Sequence, residues 1–168
     1  MAVFPTAIGD CGIVWTDAGV CGVQLPEPDA QTTRAKLLRY WPTATVRPPT
    51  PPAARAIEGI TALLGGAPDP LDDVVVDLAG VSDFRREVYR VARTVGPGET
   101  ITYGEIAVRI GSPHAAREVG QALGANPVPL IVPCHRVLAA GGKLGGFSAR
   151  GGVTTKSRLL AIEGASLF

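Results

Sequence analysis

The chain has 168 residues, 46% apolar and 18% charged, which suffices for one compact domain or two small ones and excludes wholesale disorder. Its 16 basic and 15 acidic side chains leave a net charge of +1, which excludes binding to a polyanion through a global field; any such binding needs locally placed cations. No apolar run of roughly 18 residues is present to span a bilayer as a helix. Met1 to Asp10 lack the basic-then-apolar order of a secretory signal, so a cytoplasmic protein with no membrane partner is expected.

From Ala7 to Leu25, apolar residues alternate around Ile13-Val14-Trp15 and Val20-Cys21-Gly22-Val23, which predicts two strands joined by the turn Thr16-Asp17-Ala18-Gly19. Ala30 to Tyr40 has helical spacing, and Pro42 stops it. Arg47 to Pro52 is too rich in proline for regular structure and reads as an extended linker. A short helix is expected from Ala53 to Leu64. Asp73 to Leu78 is β-rich and is expected to add a strand to the N-terminal sheet.

The second half changes character. Asp83 to Val95 places Phe84, Val88, Val91 and Val95 on one helical face, and Gly96-Pro97-Gly98 breaks it. Thr102 followed by Glu105 has the spacing of a capping box for a helix over Tyr103–Ile110. Gly111-Ser112-Pro113 ends that helix, and another runs from His114 to about Gly124. A tight turn between two short helices outlines either a helix-turn-helix or two packed core helices, and the pattern alone does not choose. Val128 to Val132 is mostly apolar and leads into Pro133-Cys134-His135-Arg136-Val137. A glycine-rich loop from Gly141 to Gly152 precedes a last helix over Thr154–Glu163.

Three cysteines, an odd count, argue against a disulfide framework. Cys11 and Cys21 read as small buried hydrophobes, able to face each other across the hairpin. With only two histidines and no CxxC or HxxxH spacing, neither a metal site nor a cofactor is expected. Cys134 beside His135 is the candidate for chemistry, because a thiolate is a strong nucleophile and needs a base or nearby positive charge to form. Adjacent side chains in an extended segment point to opposite sides, so contact needs a bend or a bridging water. Arg136 adds charge that favours the thiolate. A thiol hydrolase would take Asn126 as orienting residue, although no hydrolase signature surrounds the cysteine. A zinc deaminase would need a second cysteine and an upstream His-x-Glu, both missing. An alkyl-accepting thiol demands least of the sequence.

The run Asn126-Pro127-Val128-Pro129-Leu130-Ile131-Val132-Pro133-Cys134-His135-Arg136-Val137 closely resembles the active-site signature of the O6-alkylguanine-DNA alkyltransferases, also called methylated-DNA–protein-cysteine methyltransferases. Similar flanks are Gly98-Glu99-Thr100-Ile101-Thr102-Tyr103-Gly104-Glu105-Ile106-Ala107, Ala115-Ala116-Arg117, Gly145-Gly146-Phe147-Ser148, then Lys156 and Leu159-Leu160-Ala161-Ile162-Glu163-Gly164. The resemblance spans residues 82–165 and implies a single-turnover methyltransferase of DNA repair. Its partner would be double-stranded DNA carrying O6-alkylguanine, gripped in the minor groove and read by base flipping. Cys134 would be the alkyl acceptor, His135 its base through a water, and Glu163 the group that holds His135. Asn126 would order the turn before the cysteine. Tyr103 would give a proton to the leaving guanine, and Arg117 would fill the gap left by the flipped base. Ala115, Ala116 and Gly120 would let the second helix enter the groove, with Arg136 on the DNA side. The Val137 backbone and Ser148 side chain would bind the guanine.

Glu118, Gln121, Phe147 and a longer loop from Ser148 to Gly152 depart from many relatives. The N-terminal half resembles the family only loosely. The expected fold class is α/β (α+β): a small N-terminal αβ domain with an antiparallel sheet over 1–80, then a mostly helical domain over 81–168 holding the helix-turn-helix and the cysteine loop. A monomer is the default. The main rival is a non-enzymatic alkyltransferase-like lesion-binding protein, in which the acceptor cysteine is replaced; Cys134 is present here.

Overall fold

The computed structural model describes residues 1–165, which form two compact units of mixed α and β structure. The first comprises Met1–Leu78 together with Pro127–Ile131. It is built on an antiparallel meander of three strands in the order β1 (Ala2–Thr6), β2 (Gly9–Thr16) and β3 (Gly19–Gln24). The sequence pattern predicted two strands, not three. Pro5 masked the first, because a proline cannot donate to a ladder and is tolerated only on an edge, where β1 lies. The β2–β3 register shifts between Val14 and Trp15, so Val14 pairs with Gly22 and Trp15 with Val20. Cys21 falls at that shift while Cys11 pairs with Phe4, and the two cysteines do not face each other. Cys11 is fully buried, which pushes its thiol up to about 12.

Helix α1 (Ala30–Tyr40) is capped by Asp29, whose carboxylate accepts from the Thr32 amide at 2.7 Å. It lays Leu37 against β2 and ends on Trp41, whose ring lies so close to Gly22 that a β-carbon there would overlap it. Gly22 is thus required by the packing of Trp41. Helix α2 (Pro51–Leu64) starts two residues earlier than the sequence suggested. Pro51 and Pro52 are its first turn and not linker, since the first helical positions need no amide hydrogen. The segment 73–78 forms no strand: a single parallel bridge joins Val20 to Val76.

The second unit comprises Ala79–Asn126 and the described chain from Val132. Helix α3 (Asp83–Ala92) is capped by Ser82 and fastened to the end of α5 by Tyr89, whose hydroxyl donates to the Ala122 carbonyl at 2.6 Å. Two-residue strands β4 (Ile101–Thr102) and β5 (Val137–Leu138) pair in parallel. Helix α4 (Tyr103–Arg109) opens with the expected capping box: Thr102 Oγ1 accepts from the Glu105 amide, and the Glu105 carboxylate accepts from the Thr102 amide, both at 3.1 Å. Helix α5 (Ala116–Gly124) packs on α4 and α3, burying Val119, Ala122 and Leu123. Helix α6 (Val153–Ile162) packs against the turn that carries the cysteine.

Candidate active site

Pro133 ends the apolar run, and Cys134–Arg136 form one turn of 3-10 helix, with the Arg136 amide donating to the Pro133 carbonyl at 2.9 Å. The bend that the sequence left open as one possibility around the cysteine is therefore present. With three residues per turn, successive side chains diverge by about 120°, so neighbours in sequence take separate directions. Cys134 stays partly exposed and lines a pocket, whereas His135 is fully buried behind it. Burial pushes the Cys134 thiol up, opposed by a hydrogen bond from Asn126, the Lys156 charge and backbone amides of the turn. At rest the sulfur keeps its proton, so a base is needed to release it.

The imidazole next to Cys134 in the chain is held by a carboxylate. His135 Nε2 lies 2.7 Å from Glu163 Oε1, and burial lowers the imidazole's basicity so that it is neutral. Glu163 caps the C-terminus of α6, an unfavourable place for an anion, and its side chain is 2% exposed. Burial alone would raise its carboxyl, but the hydrogen bonds from His135 and Arg136 bring it down to about 2. Arg136 Nε donates to Oε2 at 2.9 Å and Nη2 to Oε1 at 2.8 Å, while Nη1 reaches the Val95 carbonyl at 2.7 Å. An ionised Glu163 can only accept, so His135 carries its hydrogen on Nε2 and leaves the Nδ1 lone pair open. Nδ1 is buried and has no hydrogen-bond partner among the described residues.

The pocket in front of Cys134 measures about 520 Å³ and is lined by Tyr103 from α4, Arg117 and Gly120 from α5, and Phe147 and Ser148 from the glycine-rich loop, among others. Its size is ordinary for a small organic group. Tyr103 is the first residue of α4, placed by the capping box, and burial raises its phenol. Gly145 has φ +69°, and a β-carbon there would press on the Tyr103 hydroxyl at 3.0 Å. Lys156 is fully buried on α6, its Nζ donating to the Val137 carbonyl at 2.6 Å and lying 3.5 Å from the Tyr103 hydroxyl. Burial lowers it to about 8, against the pull of the nearby sulfur.

The geometry thus gathers Cys134, Tyr103, Ala116, Arg117, Gly120 and Ser148 on one pocket and sets His135 and Glu163 behind it. Asn126 Nδ2 donates to the Val132 carbonyl at 2.9 Å, bracing the approach to the cysteine. Ala115 precedes α5 and lies outside the pocket lining. Val137 is fully buried and lies outside the pocket lining, its amide taken by the Cys134 carbonyl and its carbonyl by Lys156. One expectation is corrected: Arg136 is 1% exposed and bound to Glu163, so it cannot touch DNA or stand beside the sulfur. The cation that acts on the thiol is Lys156, one of the residues that carry the resemblance but one assigned no role from sequence, because a lysine in a helix is ordinarily solvated. Among the described residues no group of histidine, cysteine or acidic side chains is arranged to hold a metal.

A protonated cysteine at a pocket, with a neutral imidazole and a fixed carboxylate in its rear, has the chemistry a thiol needs to be released as a nucleophile. Residues 83–165 match the family model described as the DNA-binding domain of 6-O-methylguanine DNA methyltransferase. A methylated-DNA–protein-cysteine methyltransferase of Mycolicibacterium paratuberculosis is 46% identical over 125 residues, which are 74% of this chain and 73% of that protein. One from Methanothermobacter thermautotrophicus is 35% identical over 94% of this chain and 81% of its own length. The crystal structure of Mycobacterium tuberculosis OGT in complex with DNA superposes with a TM-score of 0.72 at 34% identity, covering 96% of this chain and 90% of that one. The chain belongs to the methylated-DNA–protein-cysteine methyltransferase family.

Proposed function

We propose that the protein repairs DNA by direct reversal, moving the alkyl group of an O6-alkylguanine onto Cys134 once and irreversibly. The observation that carries this reading is the open Nδ1 of a buried His135, next in the chain to a cysteine that lines the pocket. A water between them takes the thiol proton to Nδ1, and Glu163 stabilises the imidazolium that results. The thiolate attacks the alkyl carbon, a C–S bond forms, and the C–O bond breaks with its electron pair going to the guanine. Tyr103 supplies the proton that the departing base requires. The thioether has no good leaving group, so each molecule acts a single time and needs no cofactor.

Extrahelical delivery of the base costs a few kcal/mol, less at a damaged pair, and its phosphate neighbours are reached through the groove. Helices α4 and α5 act as the helix-turn-helix, with α5 entering a minor groove only ~6 Å wide behind the small side chains of Ala115, Ala116 and Gly120. Arg117, exposed at the pocket rim, takes the place of the flipped nucleotide in the stack. The Ser148 side chain, which lines the pocket, and the Val137 backbone hydrogen-bond the guanine. A monomer in a reducing cytoplasm suits the chemistry, because the thiol has to stay free.

The test is an intact mass after incubation with an oligonucleotide duplex holding one O6-methylguanine. The expected result is a gain of one methyl group, mapped to Cys134 and lost in Cys134→Ala. Tight binding with no mass change would replace this reading with lesion binding alone, and repeated turnover would replace it with hydrolysis.

A further inference from the structure

Arg136 is one of the largest fully buried side chains of the protein, and no step of the reaction uses it. Both of its donor edges are committed: Nε and Nη2 to the two oxygens of Glu163, Nη1 to the Val95 carbonyl beyond α3. Glu163 Oε1 therefore receives two donors at once, His135 Nε2 at 2.7 Å and Arg136 Nη2 at 2.8 Å. The charged groups acting on the imidazole are Glu163 and Lys156 from α6 and Arg136 from its own turn, with the Cys134 thiol beside it. A carboxylate by itself, held this close and this dry, would draw a proton onto the imidazole. An imidazolium cannot accept another proton from a thiol.

We propose that Arg136 is a positioning residue of the relay: by occupying both Glu163 oxygens and cancelling their charge, it keeps His135 neutral with the Nδ1 lone pair open. The inference rests on the alkyl-transfer reading and adds to it the reason why the base is competent at neutral pH. Burial and the two nearby cations hold the imidazole below its ordinary basicity, against the attraction of Glu163. Without the guanidinium, the His135–Glu163 pair takes up an extra proton at higher pH. Whether that proton makes an imidazolium, or sits on Glu163 Oε1 and turns the imidazole to its other tautomer, Nδ1 becomes protonated and its lone pair is lost.

The experiment is the pH profile of single-turnover transfer from free O6-benzylguanine, which bypasses DNA binding, for the wild type, Arg136→Met and Arg136→Lys. In Arg136→Met the acid limb is expected to move up by about one to two pH units, the usual effect of losing a charged neighbour. Arg136→Lys, which keeps the charge, should restore most of the limb's position though not the full rate. A uniform loss of rate at every pH, with the limb unmoved, would reduce Arg136 to a structural brace and overturn the inference.

A second measurement needs no variant to fold. The nitrogen spectrum of His135 in the wild type should show a protonated Nε2 and a bare Nδ1 at neutral pH, persisting below the ordinary imidazole range. A protonated Nδ1 there overturns the inference. If the wild type transfers no alkyl group at all, the functional reading fails, while the spectrum still judges the role of Arg136.

Discussion

Glu163→Gln keeps the shape of the side chain and removes a single charge, leaving the guanidinium of Arg136 buried without its anion. The magnitude follows from the folded carboxyl lying at about 2 against an ordinary 4.5. A shift of that size corresponds to about 3 kcal/mol favouring the folded state. That agrees with the roughly 3–5 kcal/mol lost when one partner of a buried ion pair is removed. Because the carboxyl is depressed, this stability is fully present above the unfolded value of 4.5 and is lost as pH falls toward about 2. His135 acts in the same direction earlier: its folded pKa lies below 6.5, so the unfolded chain takes up the proton first and stability declines from there downward. Urea unfolding of both proteins, stepped from neutral pH into the acid range, reads the difference. Near neutral pH the gap should be about 3 kcal/mol, narrowing below the ordinary carboxyl range. A gap under about 1 kcal/mol, or one that ignores pH, would refute the assignment of Glu163 as an ionised buried anchor. In the refolded variant, alkyl transfer should slow by roughly 100-fold, the usual loss for an unsupported general base.

Lys156→Met removes a charge that now lowers the Cys134 thiol, so iodoacetamide labelling of that cysteine at slightly alkaline pH should slow by about 10-fold for each unit its pKa rises. Unchanged labelling would mean that the ammonium does not face the sulfur. Gly145→Val places a branched side chain at φ +69° and against the Tyr103 hydroxyl, and should cost about 1–3 kcal/mol of stability while displacing the phenol from the pocket. Loss of alkyl transfer without loss of stability would separate the two effects and rule out the strain. Thr102→Ala removes the cap that starts α4 and should destabilise by about 1 kcal/mol in chemical unfolding, whereas Ser112→Ala, outside the cap, should do little.

The parts of this molecule that were legible in the sequence are those whose physics is local. The Thr102–Glu105 box reports a helix start within four residues, and α1 and α3 announce themselves through apolar spacing. β1 was hidden because Pro5 breaks the usual strand signature, and only its edge position makes that harmless. The start of α2 was hidden for the opposite reason: prolines read as linker until they are seen to occupy the turn that needs no donors. At the site, scarcity of their types singled out Cys134 and His135 as candidates and the resemblance gave them roles, but the spacing said nothing of how they are disposed. The 3-10 turn at Cys134 depends on Pro133 and on backbone bonds that no periodicity records. Arg136 was misplaced because its partner lies 27 residues away, and a sequence cannot show whether a cation ends in water or on a buried carboxylate.

Those interior charges also decide how the protein meets other molecules. Of 16 basic side chains, Arg136 and Lys156 are sealed from solvent, and of 15 acidic ones so is that of Glu163. The outer surface is left with equal numbers of each sign. Such a surface casts little long-range attraction toward a polyanion, so encounter is set by diffusion and commitment by contact. The rate of association with DNA should accordingly respond only weakly to ionic strength, while the affinity falls with salt according to the number of phosphates that local cations neutralise.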